Sequence, residues 1–231
     1  MLIKTFTALF AALLILGGCA QSDTAQYSAA ERGDPSFLEG MNTRADELYL
    51  NKEIPADARD FRRVYIAPAD LSYLQIVQPE GSPVDKEWRV NASEESVLLE
   101  TITHEFSNAL SYESAFNVVD TRDEAEIIVH TTVVAIHPFE TRAKVAAGAR
   151  PSGSITISLA LVDVVSGDVL VRSVDTKSSD DIWAFNQIDN ESTAVAMIFR
   201  AWGNSMRRGI LFLQGRATDP LATPIVVTPQ K

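Results

Sequence analysis

Apolar residues recur along this chain at two periods, and each change of period marks an element. From Arg63 to Leu71, Val64 and Ile66 alternate with Tyr65 and Ala67, the spacing of a strand, and Pro68 confines that strand to an edge or an end. From Asn91 to Ser111, Leu98, Ile102, Phe106, Ala109 and Leu110 share one helical face. Asn91 with Glu94 three residues on predicts a capping box, and Glu94 and Glu95 suit the positive end of the helix dipole. Phe116 to Asp120 predicts a short strand. Glu126 to His137 predicts a central strand, because both alternating sets are largely apolar: Ile127, Val129, Thr131, Val133 and Ala135 on one side, Ile128, His130, Thr132, Val134 and Ile136 on the other. In Gly153 to Val165, Ile155, Ile157, Leu159 and Leu161 face in. Ser166-Gly167-Asp168 then turns into a strand over Val169 to Lys177, with Gly167 supplying a positive φ. That loop can hold two, three or four residues, each with its own register. The last helix, capped by Asp189 or Asn190, carries a wide stripe: Val195, Ile198, Phe199, Trp202, Met206, Ile210 and Leu213.

The order strand, helix, four strands, helix predicts an α+β fold. Its form is a two-layer α/β sandwich, about five mostly antiparallel strands with two helices on one face. The first crossover is expected to be right-handed. Residues 37–216 make up this domain. Within it Phe37, Leu38, Leu48, Tyr49 and Leu50 are a sparse apolar set that pins an irregular segment onto the fold or serves as a partner-binding peptide. Residues 19–36 are small and polar and read as a flexible tether. Residues 217–231, with Pro220, Pro224 and Pro229, read as a tail.

Residues 1–18 have a different pattern. Lys4 precedes an apolar run from Phe6 to Leu16, closed by Gly17 and Gly18. The run is shorter than the about 20 apolar residues a spanning helix needs, and it matches the core of a secretory signal. Its ending, Leu16-Gly17-Gly18-Cys19, resembles the lipobox of bacterial lipoproteins. The resemblance implies cleavage between Gly18 and Cys19, acylation of Cys19, and anchoring in a membrane. Ala20 after the cysteine, rather than Asp, implies the outer membrane by the sorting rule of enterobacterial lipoproteins, with the domain facing the periplasm.

Composition narrows the partners. The formal net charge of -11 argues against nucleic acid and anionic headgroups. A hydrophobic content of 46% is enough for a packed core. Cys19 is the single cysteine, so once acylated it leaves no disulfide and packing must hold the fold.

Candidate chemistry is sparse. His130 and His137 are an odd number of residues apart and fall on opposite faces of a regular strand, and with His104 they make no metal-ligand spacing. No metal and no cofactor is expected. Ser152 and Ser154 lack a nucleophile elbow and read as turn residues. Asp180 and Asp181 beside Trp183 have the composition of a sugar-site loop, but acidic loops are ordinarily solvated. Asp163, just before the turn, is placed to bond turn amides. The loop from Pro138 to Ser152 holds Arg142, Lys144 and Arg150, the one basic patch of an acidic chain. Trp202 belongs to the helix stripe, whereas Trp88 and Trp183 lie in loops, as lids over the core or as interface anchors. Trp183 and Phe185, with Arg142 and Arg150, are the candidate partner contacts.

The lipobox, Phe61-Arg62-Arg63-Val64-Tyr65-Ile66-Ala67-Pro68, Leu161-Val162-Asp163-Val164-Val165-Ser166-Gly167-Asp168-Val169-Leu170 and the late Ala201-Trp202 together resemble a family of Gram-negative lipoproteins carrying domains of unknown function. The resemblance spans about Phe37 to Leu213. It implies a location and no activity. The expected function is that of a lipid-anchored, non-enzymatic module that binds or scaffolds an envelope protein. The alternative is a binding module for a small envelope ligand such as lipid or glycan. A hydrolase working through Asp180, Asp181 or His130 is the third reading.

Overall fold

The strands expected around 126–137, 153–165 and 169–177 form the middle of one open, mixed sheet. The computed structural model describes residues 37–39, 45–51, 60–183 and 194–216. In chain order the elements are β1 Phe37–Glu39, β2 Glu47–Asn51, β3 Arg63–Ile66, β4 Gln75–Ile76, α1 Ala92–Ser111, β5 Asn117–Val119, β6 Ile127–Pro138, α2 Arg142–Ala146, β7 Gly153–Asp163, β8 Val169–Ser179 and α3 Ala194–Leu213. The sheet runs β1-β2-β8-β7-β6-β3-β5, and β4 lies along the same edge of β6 beyond β3. β1–β2, β2–β8, β6–β7 and β7–β8 are antiparallel, while β3 pairs in parallel with β5 and β6, and β4 with β6.

The fold class stands as α+β, with α1 and α3 packed on one face, but the strand count and order differ from the expectation. Eight strands form, not five. The three additional ones come from segments read as irregular. Leu48 and Leu50 alternate with Glu47, Tyr49 and Asn51, and this short period-two pattern pairs with the outer edge of β8. β1 adds to β2, with Phe37 opposite Asn51. β4 comes from the loop after Pro68, where two residues suffice to continue the edge of β6. β3 stops at Ile66 rather than Leu71 because Pro68 has no N–H to give. Ala67 N and Asp70 N still donate to Val129 and Thr131 carbonyls, so the chain keeps alongside β6 without a regular ladder.

A bulge overturns the face assignment within β6. The register with β7 shifts between Val133 and Ala135. Ile127, Val129 and Val133 lie in the core below the helices, and beyond the bulge Ile136 joins them. Alternation then places His130, before the bulge, and His137, after it, on the same face of the sheet, away from the helices, not on opposite faces. They stand about 20 Å apart at strand rise and form no pair.

The helix layer is filled by Leu98, Ile102, Phe106 and Leu110 of α1 and Val195, Ile198, Phe199, Trp202 and Ile210 of α3, over Ile127, Val129, Ile155, Ile157 and Leu159. Phe106 and Phe199 meet edge to face at 6.3 Å between centroids. Two buried carboxylates interrupt this apolar layer. Glu105 accepts both arms of Arg200, from Nε at 2.7 Å and Nη2 at 3.0 Å, and so ties α1 to α3. Asp175 accepts from Trp202 Nε1 at 2.6 Å and pairs with Lys177 Nζ at 2.7 Å, tying α3 to β8.

The β7–β8 hairpin settles its register through Asp163. Its N–H donates to Asp168 O, and its Oδ1 accepts from Val165 N at 2.9 Å and Ser166 N at 2.7 Å. The loop thus closes over residues 164–167, with Gly167 at φ 76°. β7 accordingly ends at Asp163, two residues before the expected limit, and β8 runs to Ser179.

Candidate functional site

At one end of the sheet, Pro138 of β6, Gly153 of β7 and Ser179 of β8 lie in one row. Three connections meet there: residues 77–91 leading into α1, residues 139–152, and residues 180–183. Trp88 is the buried centre of this end. Its backbone is clamped by one amide side chain, for Trp88 N donates to Gln78 Oε1 and Gln78 Nε2 donates to Trp88 O, both at 2.8 Å. Its indole Nε1 donates to Glu140 O at 2.8 Å, joining the first connection to the second.

Trp183 packs on Trp88, with ring centroids 4.5 Å apart and planes tilted by 41°. The two loop tryptophans therefore divide: Trp88 is a lid over the core, and half-buried Trp183 covers it from outside. Trp183 N donates to Asp181 Oδ1, and Trp183 Nε1 to Glu94 Oε1 at 3.3 Å. Glu94 also completes the capping box, since Asn91 N donates to Glu94 Oε2 at 2.9 Å while Asn91 Oδ1 accepts from Ser93 N and Glu94 N. One carboxylate thus starts α1 and holds the tryptophan.

The packing beneath demands glycine at position 153. A Cβ there would fall 2.3 Å from Ile182 Cδ1 and 2.5 Å from His137 O. Ile182 is fully buried and Ile182 N donates to Pro151 O, so Ile182 anchors the segment that carries Trp183.

The loop expected over Pro138 to Ser152 contains the short helix α2, capped by Thr141, whose side chain accepts from Lys144 N. Two of the three cations of the basic patch read there are paired with carboxylates. Lys144 pairs with Glu140 at 2.8 Å and Arg150 with Asp180 at 3.0 Å, both at the exposed surface. Arg142 has no carboxylate partner among the described residues. Its Nη1 donates to Glu87 O, and its Cζ lies 5.6 Å from the Trp88 ring centroid, a cation–π contact. The structure therefore brings Arg142 and Trp183 together through Trp88, a residue the composition of the loops alone did not single out as their link. Arg150 sits alongside in its own ion pair. Phe185, Gly18 and Cys19 lie outside the described residues.

The acids and histidine of the hydrolase reading do not converge. Asp181 caps Trp183, Asp180 pairs with Arg150, and His130 is about 20 Å back along the sheet. Among the described residues no group of three His, Cys, Asp or Glu side chains is placed to hold a metal. What the end of the sheet presents is a preorganised aromatic and cationic surface, with Val77, Val84 and Phe139 exposed on the same connections.

No protein-family model matches the chain, and no curated protein matches its sequence. Solved structures match it at low identity and low TM-score. The PelC dodecamer protein from Paraburkholderia phytofirmans is 13% identical, covering 71% of this chain and 94% of that one, at a TM-score of 0.33. Protein XCC0632 from Xanthomonas campestris, of the DUF330 family, is 12% identical over 67% and 86% of the two chains, at 0.38. Lipoprotein GNA1162 from Neisseria meningitidis is 10% identical over 63% and 97%, at 0.34. At likeness this low, nothing about activity or partners passes from them to this chain.

Proposed function

We propose that this chain is a non-enzymatic lipoprotein of the outer membrane, anchored through acylated Cys19, whose periplasmic domain docks an envelope protein at the Trp88–Trp183–Arg142 end. The observation that carries the reading is the pinned aromatic pair with a cation against it. Trp and Arg are the side chains that dominate binding hot spots. Here hydrogen bonds to Glu140, Asp181, Glu94 and Glu87 already hold them, so little conformational freedom is lost when a partner binds. The balanced charges around them argue for a partner recognised by shape and apolar contact rather than by bulk electrostatics. The filled helix–sheet layer supports a protein partner over a ligand taken into the core. No helix of the described residues is long and apolar enough to cross a membrane, which suits attachment by acyl chains.

The test is photocrosslinking in cells from positions 142, 150, 183 and 185, in the wild-type chain and in Cys19→Ala. The expected result is one discrete protein adduct from 142 and 183 that weakens when the anchor is removed. Absence of a protein adduct at all four positions would overturn the docking reading.

A further inference from the structure

One side of β6 is lined in turn by β3, by residues 67–70 and by β4, and of these only β3 has a further strand beyond it, β5. Among the described residues no strand pairs with the outer side of β4. Val77 N donates to Ile136 O, so the backbone groups of Val77 face β6. Alternation along an extended chain then turns the N–H and C=O of Ile76 outward. The N–H meets no strand there, and the carbonyl receives only a 3.5 Å contact from Gln78 Nε2. Tyr73 and Val77 are each 44% exposed, while Leu74 and Ile76 are half-buried. This is the alternation of an edge strand longer than the two residues that form the ladder with β6.

Tyr73-Leu74-Gln75-Ile76-Val77-Gln78 holds no charge, proline or glycine, in a chain that is 22% charged. Such a composition on an edge recruits a further strand, and folded proteins ordinarily guard against that with charge, proline, a bulge or a cover. The strands at the two ends of the sheet carry charge: β1 ends in Glu39, and β5 runs into Asp120, Arg122, Asp123 and Glu124. The β4 edge is also fixed on both sides. Before it, Asp70 Oδ1 accepts from Ser72 N at 2.8 Å and Leu74 N donates to Leu71 O. After it, Gln78 clamps the Trp88 backbone and Ser82 N donates to Pro79 O. An edge already held extended loses little freedom when a strand is added to it.

We propose that β4 is a strand-addition site, along which the docked partner lays a short extended segment whose backbone pairs with Ile76. The proposal deepens the docking reading above and rests on it, because Gln78 joins this edge to Trp88. Backbone pairing supplies the attraction. Selectivity comes from alternate apolar side chains of the segment, set beside Tyr73 and Val77 on one face and Leu74 and Ile76 on the other. The segment has no net negative charge, since this chain, at a formal -11, repels an acidic one. The same repulsion disfavours a second copy of this chain, whose edge would bring an equal negative charge alongside. The occupant is therefore an extended, neutral or basic stretch of a different envelope protein.

The experiment is photocrosslinking in cells from position 75, where the Gln75 side chain is exposed, alongside positions 142 and 183. The full chain is used with its own β4, with Val77→Lys and with Ile76→Pro. Val77→Lys puts a charge on the edge and keeps the backbone bond to Ile136, whereas Ile76→Pro removes the outward donor. Urea midpoints of the purified variants check that each folds, and if Ile76→Pro does not, Val77→Lys alone decides. The expected result is one protein adduct common to 75 and 183, reduced several-fold at 75 in the variants. In the adduct isolated from position 183, amide exchange over residues 73–78 should be several-fold slower than in the free chain. An adduct from 183 with none from 75, or one from 75 that survives Val77→Lys with unchanged exchange, would overturn strand addition and leave the docking reading standing. An adduct of this chain with itself from 75 would overturn the choice of partner. Absence of an adduct from 75, 142 and 183 alike would overturn both.

Discussion

Trp202 shows how a single side chain can be both core and polar. Its ring packs 5.3 Å from Phe199, while its Nε1 donates to the buried Asp175 carboxylate, which pairs with Lys177, whose ammonium lies over the same ring at 5.7 Å. Trp202→Phe keeps most of the apolar volume and removes the donor. We expect a loss of about 1–2 kcal/mol, read as a lower urea midpoint with an unchanged slope. Glu126, at the hairpin end, makes a second residue-scale prediction. Its Oε2 accepts from Arg62 N at 2.7 Å and Arg63 N at 2.9 Å. Those two amides, with the Arg63 charge adding to them and partial desolvation opposing, hold its carboxyl below the ordinary glutamate value. A depressed folded-state value stabilises the fold above the unfolded value of about 4.3 and loses that contribution as pH falls through the folded value. Glu126→Gln should therefore lower stability near pH 7 and flatten its fall below about pH 4. Urea midpoints from pH 3 to 7 that fall in parallel for both chains would refute this.

Between elements, the telling contacts are those made by residues with two duties. Glu94 caps α1 and holds Trp183, so helix start and candidate site are one hydrogen-bonded unit. Glu94→Ala should cost about 1 kcal/mol through the lost cap and also loosen Trp183, seen as a red-shifted emission in a variant whose other tryptophans are replaced by phenylalanine. Gly153 couples β7 to the segment after β8, because Ile182 fills the space a Cβ would need. Gly153→Ala should destabilise the domain by about 1–3 kcal/mol and weaken the crosslink from position 183. An unchanged midpoint would mean that Ile182 relaxes freely. The bulge in β6 has a comparable reach: one extra residue returns Ile136 to the core and turns His137 toward Phe139, whose rings meet edge to face at 5.5 Å.

For the whole molecule, α1 and α3 run the same way along the sheet, so its two ends are structurally distinct. β1 begins at the hairpin end, and the loops that pin Trp88 gather at the other. The anchor at Cys19 is a premise of the proposed function. Cys19→Ala should move the protein from the membrane to the soluble fraction and abolish labelling with radioactive palmitate. Equal membrane association in the variant would remove the premise.

Much of this architecture is written in local pattern. Periodicity marks α1, α3 and the strands from β5 to β8, because burial on one face leaves a repeat of 3.6 or 2 that needs no knowledge of the partner element. The capping box at Asn91 and the turn role of Asp163 are equally local, since donor and acceptor lie within three residues of each other. Other features depend on residues distant in sequence. β1, β2 and β4 are too short to declare themselves and become strands when an existing edge supplies their hydrogen bonds. The bulge near Val134 depends on register with β7, and no residue type announces it. The same holds for charge: Arg142, Lys144 and Arg150 read as a basic patch until folding brings Asp180 to Arg150 and Trp88 to Arg142. Local rules name the side chains, but their neighbours are chosen by the packing of segments far apart in the chain, where the hydrophobic and hydrogen-bonding gain is realised only once the sheet exists.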